Sequence, residues 1–130
     1  MAPIVRISVD HAGREQAFLE VSDLVGEVSR LLQTYGHLSD VTVSIQLPDG
    51  RGLLLAALED GGAFVGLETS GGVYQFVADA EADGTRQFMI GGQPTVVDRR
   101  YVLPQPKVIE LLAACLATSD LFAVTEWERQ

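Results

Sequence analysis

The sequence contains little cysteine and few basic side chains. Its single cysteine, Cys115, cannot form an intramolecular disulfide, and its leucine neighbours predict a thiol in the hydrophobic core. Lys and Arg number 9 against 18 Asp and Glu, so the formal net charge is −9. Binding of nucleic acid through its phosphates needs clustered Lys and Arg, and an anionic membrane surface repels an acidic chain. The composition therefore argues against both as partners.

Long apolar runs are also missing. The longest, at residues 53–58 and 109–117, fall well short of the ~20 residues that a membrane span requires. The first residues lack the basic stretch and apolar run of a signal peptide, so we expect a cytoplasmic protein. The 130 residues, 47% of them hydrophobic, suit a single domain over residues 1–130.

Patterns that carry catalysis or bind metals are scarce. His11 and His37 have no further ligand at zinc spacing, and neither a nucleophile elbow nor a phosphate-binding loop occurs. Asp79, Glu81 and Asp83 match the first three ligand positions of a calcium loop, but the completing Glu is missing. We therefore predict no metal, no cofactor and no catalytic activity, with a small enzyme as an alternative.

Hydrophobic periodicity predicts two helices and several strands. Apolar residues recur at helical spacing over residues 24–35, with Ser22 as the expected N-cap, and again over residues 108–116. Alternating or short apolar segments, most of them bounded by Gly-rich turns, indicate strands at residues 5–9, 41–47, 53–58, 63–69, 73–78, 85–90 and 121–127.

The connections complete the predicted fold. Residues 11–20 are polar and are expected to form a loop, residues 48–51 a turn, and residues 96–103 either a strand or an extended loop. Closely spaced strands joined by short turns predict an α+β fold: an antiparallel meander sheet of about five to seven strands with two helices packed on it.

The acidic residues are unevenly distributed. Between Arg51 and Arg86 there is no basic residue, and the same stretch contains six acids, most of them at or near predicted hairpin tips: Glu59, Asp60, Glu68, Asp79, Glu81 and Asp83. Two interpretations remain open. The acids form either a solvated edge that resists aggregation, or an acidic face that attracts a basic protein.

The C-terminal third resembles a known family. Tyr101-Val102-Leu103-Pro104, the apolar helix over residues 108–118 and the closing Thr125-Glu126-Trp127-Glu128 are together similar to the Imm1 family of bacterial immunity proteins. The matching steps are Leu103-Pro104, Leu116-Ala117-Thr118 and Glu126-Trp127. Ser119 and Phe122 depart from the family pattern, which usually has Gly and Pro there.

The resemblance implies a function and a partner. Immunity proteins of this kind neutralise a cognate secreted toxin domain, often a nucleic-acid deaminase, by tight binding without catalysis. A toxin that acts on nucleic acid carries a basic groove, which the six acids would cover. Tyr101 and Trp127 are the candidate aromatic anchors, although Trp127 is equally compatible with the core. We expect a monomer when free, and an acidic secretion chaperone is the alternative binding function.

Overall fold

An antiparallel sheet with two helices on one face forms the structure, which confirms the predicted α+β fold. The computed structural model describes residues 5–21, 23–47, 52–117 and 127–129. Within these ranges the elements are β1 (Val5–His11), β2 (Arg14–Val21), α1 (Leu24–Tyr35), β3 (Val41–Gln46), β4 (Leu53–Glu59), β5 (Gly62–Thr69), β6 (Gly72–Phe76), β7 (Thr85–Ile90), β8 (Gln93–Asp98), a 3-10 turn (Arg99–Tyr101), β9 (Leu103–Pro104), α2 (Gln105–Ala117) and β10 (Trp127–Arg129).

The strands form one wide sheet and one separate ribbon. The order across the main sheet is β10-β6-β5-β4-β3-β1-β2, and every neighbouring pair is antiparallel. The short β9 joins it beside the start of β5, next to the position where β6 leaves the sheet. Strands β7 and β8 pair only with each other and form the ribbon. With β9 the main sheet has eight strands within the described ranges, one more than the top of the predicted range of five to seven.

Period-two alternation gives the sheet two different faces. On β3, Val41, Val43 and Ile45 are buried on the side covered by the helices, which we call the helix face. Helix α1 contributes Val28 and Leu31 to the same core, and α2 contributes residues of its own: Val108, Leu111 and Leu112. The opposite side, the outer face, is more polar along β1 and β3.

The β7–β8 ribbon covers part of the outer face. Phe88 is fully buried and forms a second, smaller core with Ala57 of β4 and Val97 of β8. The ring of Phe64 meets that of Phe88 edge-on, with the centroids 5.2 Å apart. The ribbon therefore packs on the sheet through the alternate residues of β4 and β5 that do not enter the main core.

The predicted loop over residues 11–20 is wrong, because β2 occupies most of it. Ala12 and Gly13, both with positive φ (55° and 80°), form a tight turn, and Ile7 of β1 lies across from Leu19 of β2. β2 lies at the edge of the sheet and pairs with β1 only. Edge strands often carry charged side chains, so the sequence of β2 shows little of the apolar alternation from which a strand is predicted. Backbone hydrogen bonding to β1 therefore stabilises this strand, although its own sequence does not predict one.

Smaller differences concern the ends of elements. Ser22 lies outside the described residues, and Asp23 caps α1 by accepting a hydrogen bond from the Gly26 N–H at 3.1 Å. The predicted turn at residues 48–51 also lies outside them, as do the predicted strand at residues 121–127, except for Trp127, and the side chain of Cys115. The ambiguous residues 96–103 divide among β8, the 3-10 turn and β9.

Candidate protein-binding surface

Five of the six predicted acidic residues lie at one end of the main sheet. Glu59 and Asp60 stand where β4 turns into β5, and the loop with Asp79, Glu81 and Asp83 follows the end of β6. Because β6 runs antiparallel to β5, its last residue lies at the end where β5 begins. We call these five residues the acidic end. The sequence predicted the set, and the topology places its two parts together.

The loop part of the acidic end is anchored through its backbone. The N–H groups of Ala78 and Asp79 both donate to the carbonyl of Arg100, at 2.8 and 3.0 Å. Asp79 Oδ1 accepts from the N–H of Glu81 at 3.1 Å, which fixes the turn. Glu81 and Asp83 are exposed, and within the described part of the chain neither forms an ion pair.

Glu59 and Asp60 differ in what their carboxylates do. Glu59 Oε1 accepts from Ser39 Oγ at 3.0 Å and from the N–H of Met89 at 2.8 Å, so this side chain joins the sheet to the ribbon. Asp60 is exposed in a tight turn with φ of 43°. Its carboxylate forms no ion pair with any described residue, so it is the more available of the two.

The remaining acidic residue, Glu68, lies apart from the other five. It sits near the far end of β5, on the outer face, directly across from Val73 of β6. Its side chain is exposed. Glu68 is six residues further along β5 than Gly62, which is roughly 20 Å at the usual rise of a strand, so it lies well away from the turn that carries Asp60.

Tyr101 joins the C-terminal strand to the 3-10 turn. Its Oη donates to Glu128 Oε1 at 2.9 Å, while Arg100 Nη2 donates to the same Tyr101 oxygen at 2.6 Å and to Glu128 Oε1 at 3.0 Å. The Arg100 guanidinium carbon lies 4.6 Å from the centroid of the Tyr101 ring. The ring is half-buried and remains partly accessible.

Trp127, the other predicted anchor, packs against the main core. Its ring meets that of Phe76 edge-on with a centroid distance of 5.7 Å, and it is half-buried. Phe76 also lines a surface groove of about 480 Å³ between β6, β9 and α2. The groove has an apolar floor and three charged side chains: Asp79, Lys107 and Glu110. Asp79 thus belongs to both the acidic end and this groove.

Sequence reasoning missed two residues that hold this end together. Arg86 Nη2 donates to the backbone carbonyls of Glu59 and Asp60, the latter at 3.2 Å. Asp40 accepts through Oδ2 from the N–H of Gly92 at the ribbon tip, at 2.8 Å, and through its carbonyl from Ala12. These contacts join residues that are 26 to 52 positions apart in the sequence, so no local sequence pattern predicts them.

Comparisons with known proteins add no assignment. No protein-family model matches this chain, and no curated protein matches it. Among the described residues, no group of three or more His, Cys, Asp or Glu side chains could hold a metal ion. No helix within the described ranges is long and apolar enough to cross a membrane.

Proposed function

We propose that this protein is an immunity protein of the Imm1 type, which binds and neutralises a cognate secreted toxin domain. One observation carries the proposal: the exposed carboxylates of Asp60, Glu81 and Asp83, which form no ion pair with any described residue, gather at one end of the sheet. Taken with the resemblance of residues 101–128, this charge supports a binding function rather than a solvated edge alone.

The physical logic is electrostatic complementarity. A toxin that deaminates nucleic acid needs a basic groove to hold phosphates, and an acidic end can occupy that groove. Opposite potentials speed encounter and discriminate against wrong partners. The inhibitor then needs no reaction of its own, because covering the active site is sufficient. The proposal therefore includes no catalysis, no cofactor, no direct contact with nucleic acid or membrane, a cytoplasmic location and a monomeric free state.

Co-purification tests the proposal directly. The probe is the C-terminal domain of a secreted protein encoded next to this gene, co-expressed with the full 130-residue chain. We expect a complex that survives gel filtration and abolishes the toxicity of that domain. The C-terminal domain of a secreted protein from an unrelated toxin locus serves as the specificity control. Failure to form a complex at micromolar concentrations contradicts the proposal.

A secretion chaperone is the second candidate, and the groove of about 480 Å³ with its apolar floor favours it. A chaperone holds its client in an extended state through apolar surface, whereas an immunity protein binds a folded toxin. Chaperones of this size usually dimerise through a helix. A dimer in solution that binds only the unfolded domain would replace the immunity assignment with this one.

A further inference from the structure

The sequence contains three Asp-Gly pairs, at residues 49–50, 60–61 and 83–84. An Asp-Gly pair rearranges without an enzyme more readily than other pairs, because glycine has no side chain to hinder the attack of its backbone nitrogen on the aspartate carboxyl carbon. The first pair lies outside the described residues. The other two have their aspartates in the acidic end, and their surroundings differ.

The Asp60-Gly61 pair is held by hydrogen bonds to distant parts of the chain. The Gly61 N–H donates to the carbonyl of Gly36 at 2.9 Å. The Asp60 carbonyl accepts from Arg86 Nη2 at 3.2 Å, and the Gly61 carbonyl accepts from the N–H of Gln105 at the same distance. The nitrogen that would attack is therefore already engaged, and the peptide groups beside it are fixed on both sides.

The Asp83-Gly84 pair has much less support. Both residues are exposed in the loop between β6 and β7, and Gly84 has φ of 92°. Within the described part of the chain, the Gly84 N–H donates no hydrogen bond, and the Asp83 carboxylate forms neither a hydrogen bond nor an ion pair. The Gly84 carbonyl is engaged, by the N–H of Arg99 at 2.9 Å. Among these residues nothing therefore holds the attacking nitrogen away from the carboxyl group.

We infer that Asp83-Gly84 is a site of spontaneous isoaspartate formation, and that the fold protects Asp60-Gly61 from the same reaction. The Gly84 nitrogen attacks Cγ of the protonated Asp83 carboxyl group and closes a succinimide ring, while the carboxyl hydroxyl and the amide proton leave together as water. A second water then opens the ring. Addition at Cγ restores aspartate, whereas addition at the α-carbonyl leaves isoaspartate, whose main chain runs through the side-chain carbons.

The product keeps the charge of the loop but changes its backbone. Isoaspartate still carries one carboxylate, so the net charge of the acidic end is unaltered. Its main chain is one methylene longer, which displaces the Gly84 carbonyl from the Arg99 N–H and so weakens the contact between this loop and the 3-10 turn. The modification thus alters the surface that the proposed function assigns to the toxin domain, although its chemistry does not depend on that function.

Two matched amide variants test the inference, because asparagine closes the same ring faster and its conversion to an acid is visible as a gain in mass. Asp83→Asn and Asp60→Asn are nearly isosteric, remove the same charge and lie at exposed positions. The full chain is incubated in native buffer, and peptide mass spectrometry with fragmentation follows each site. We expect Asp83→Asn to convert at least about 10-fold faster than Asp60→Asn, which must first break the hydrogen bond from Gly61 to Gly36.

Denaturation is the control for local sequence. In concentrated urea the two variants should convert at similar rates, because the hydrogen bonds that protect residue 60 are gone. In the wild-type chain, incubation in heavy-oxygen water should label Asp83 well before Asp60. Equal rates in native buffer, faster conversion at residue 60, or a difference that persists in urea would each overturn the inference. None of these measurements uses a toxin domain, so their failure leaves the proposed function standing.

Discussion

At the scale of single residues, two glycines of β5 show that the surrounding contacts decide how much an added methyl group destabilises the fold. Gly62 and Gly66 both point to the outer face of the same strand. A Cβ on Gly62 would lie 2.1 Å from Arg86 Nη1, whereas a Cβ on Gly66 would meet only the carbonyl oxygen of Tyr74 at 3.6 Å. Arg86 is not free to withdraw, because it bonds to two backbone carbonyls and lies 5.2 Å from the centroid of the Phe88 ring.

We predict that Gly62→Ala lowers the free energy of unfolding by about 1–3 kcal/mol, through loss of the hydrogen bonds of Arg86. Gly66→Ala should be neutral or slightly stabilising, since alanine has the better strand entropy. Urea denaturation of both variants measures the difference. In an Arg86→Ala background the penalty of Gly62→Ala should nearly vanish, and a penalty that persists there would contradict the proposed collision.

The sequence placed Glu59 among the acids that bind a partner protein. In the structure its carboxylate instead accepts hydrogen bonds from Ser39 and Met89 of the same chain. We predict that Glu59→Gln, which keeps an acceptor for Ser39 and Met89, costs little, whereas Glu59→Ala costs about 1–3 kcal/mol of unfolding free energy. Thermal unfolding of the two variants gives the comparison. Glu81→Ala, at an exposed position, is the control and should stay within about 0.5 kcal/mol of wild type.

At the scale of elements, the N-terminal hairpin depends on a turn with an unfavourable residue. Ala12 adopts φ of 55° beside Gly13, and such a two-residue turn favours Asn-Gly. Left-handed backbone costs an L-residue other than Asn or Asp roughly 1–2 kcal/mol. The hairpin forms nevertheless, because β1 pairs with both β2 and β3 and its residues Ile7 and Val9 are fully buried.

We predict that Ala12→Asn raises the free energy of unfolding by about 1 kcal/mol, because Asn tolerates this conformation. Ala12→Val should lower it by a similar or larger amount, since a β-branched side chain is strained there. Chemical denaturation measures both. Equal stability of the two variants would show that residue 12 is not held at positive φ in solution.

At the scale of the whole molecule, the carboxylates behind the net charge of −9 have different roles. Glu59 joins the sheet to the ribbon, and Asp79 fixes its own loop. Glu20 pairs with Arg6 at 3.6 Å between β2 and β1, the two strands at one edge of the main sheet. Asp60, Glu81 and Asp83 are exposed, which leaves their field available to a partner.

We predict that Glu81→Lys with Asp83→Lys slows association with the toxin domain about 10-fold at low salt and weakens the salt dependence. The control carries the same change of net charge on β2, as Glu15→Lys with Glu20→Lys; β2 is the edge strand that β5, β4, β3 and β1 separate from β6. Stopped-flow association over a range of salt concentrations distinguishes them. Equal slowing by both pairs would mean that net charge, and not its location, steers the encounter.

Much of the fold and part of the candidate surface could be predicted from the sequence. The alternation of Val41, Val43 and Ile45 and the helical spacing of Val28 and Leu31 are local signals, and both elements formed as predicted. The acidic set was equally visible, because charge does not depend on folding. The hydrogen bonds that hold the turn between β4 and β5 were not, since their partners lie far away in the sequence.

The sequence by itself determined the period of each long element, the acidity and the scarcity of catalytic patterns, because each is a property of neighbouring residues. Only the tertiary structure decided that β2 is a strand, that Glu59 is an internal link and that Glu68 lies apart from the acidic end. Hydrogen bonds and packing between residues dozens of positions apart govern those outcomes. A local sequence pattern does not specify which distant residue a side chain or strand will contact.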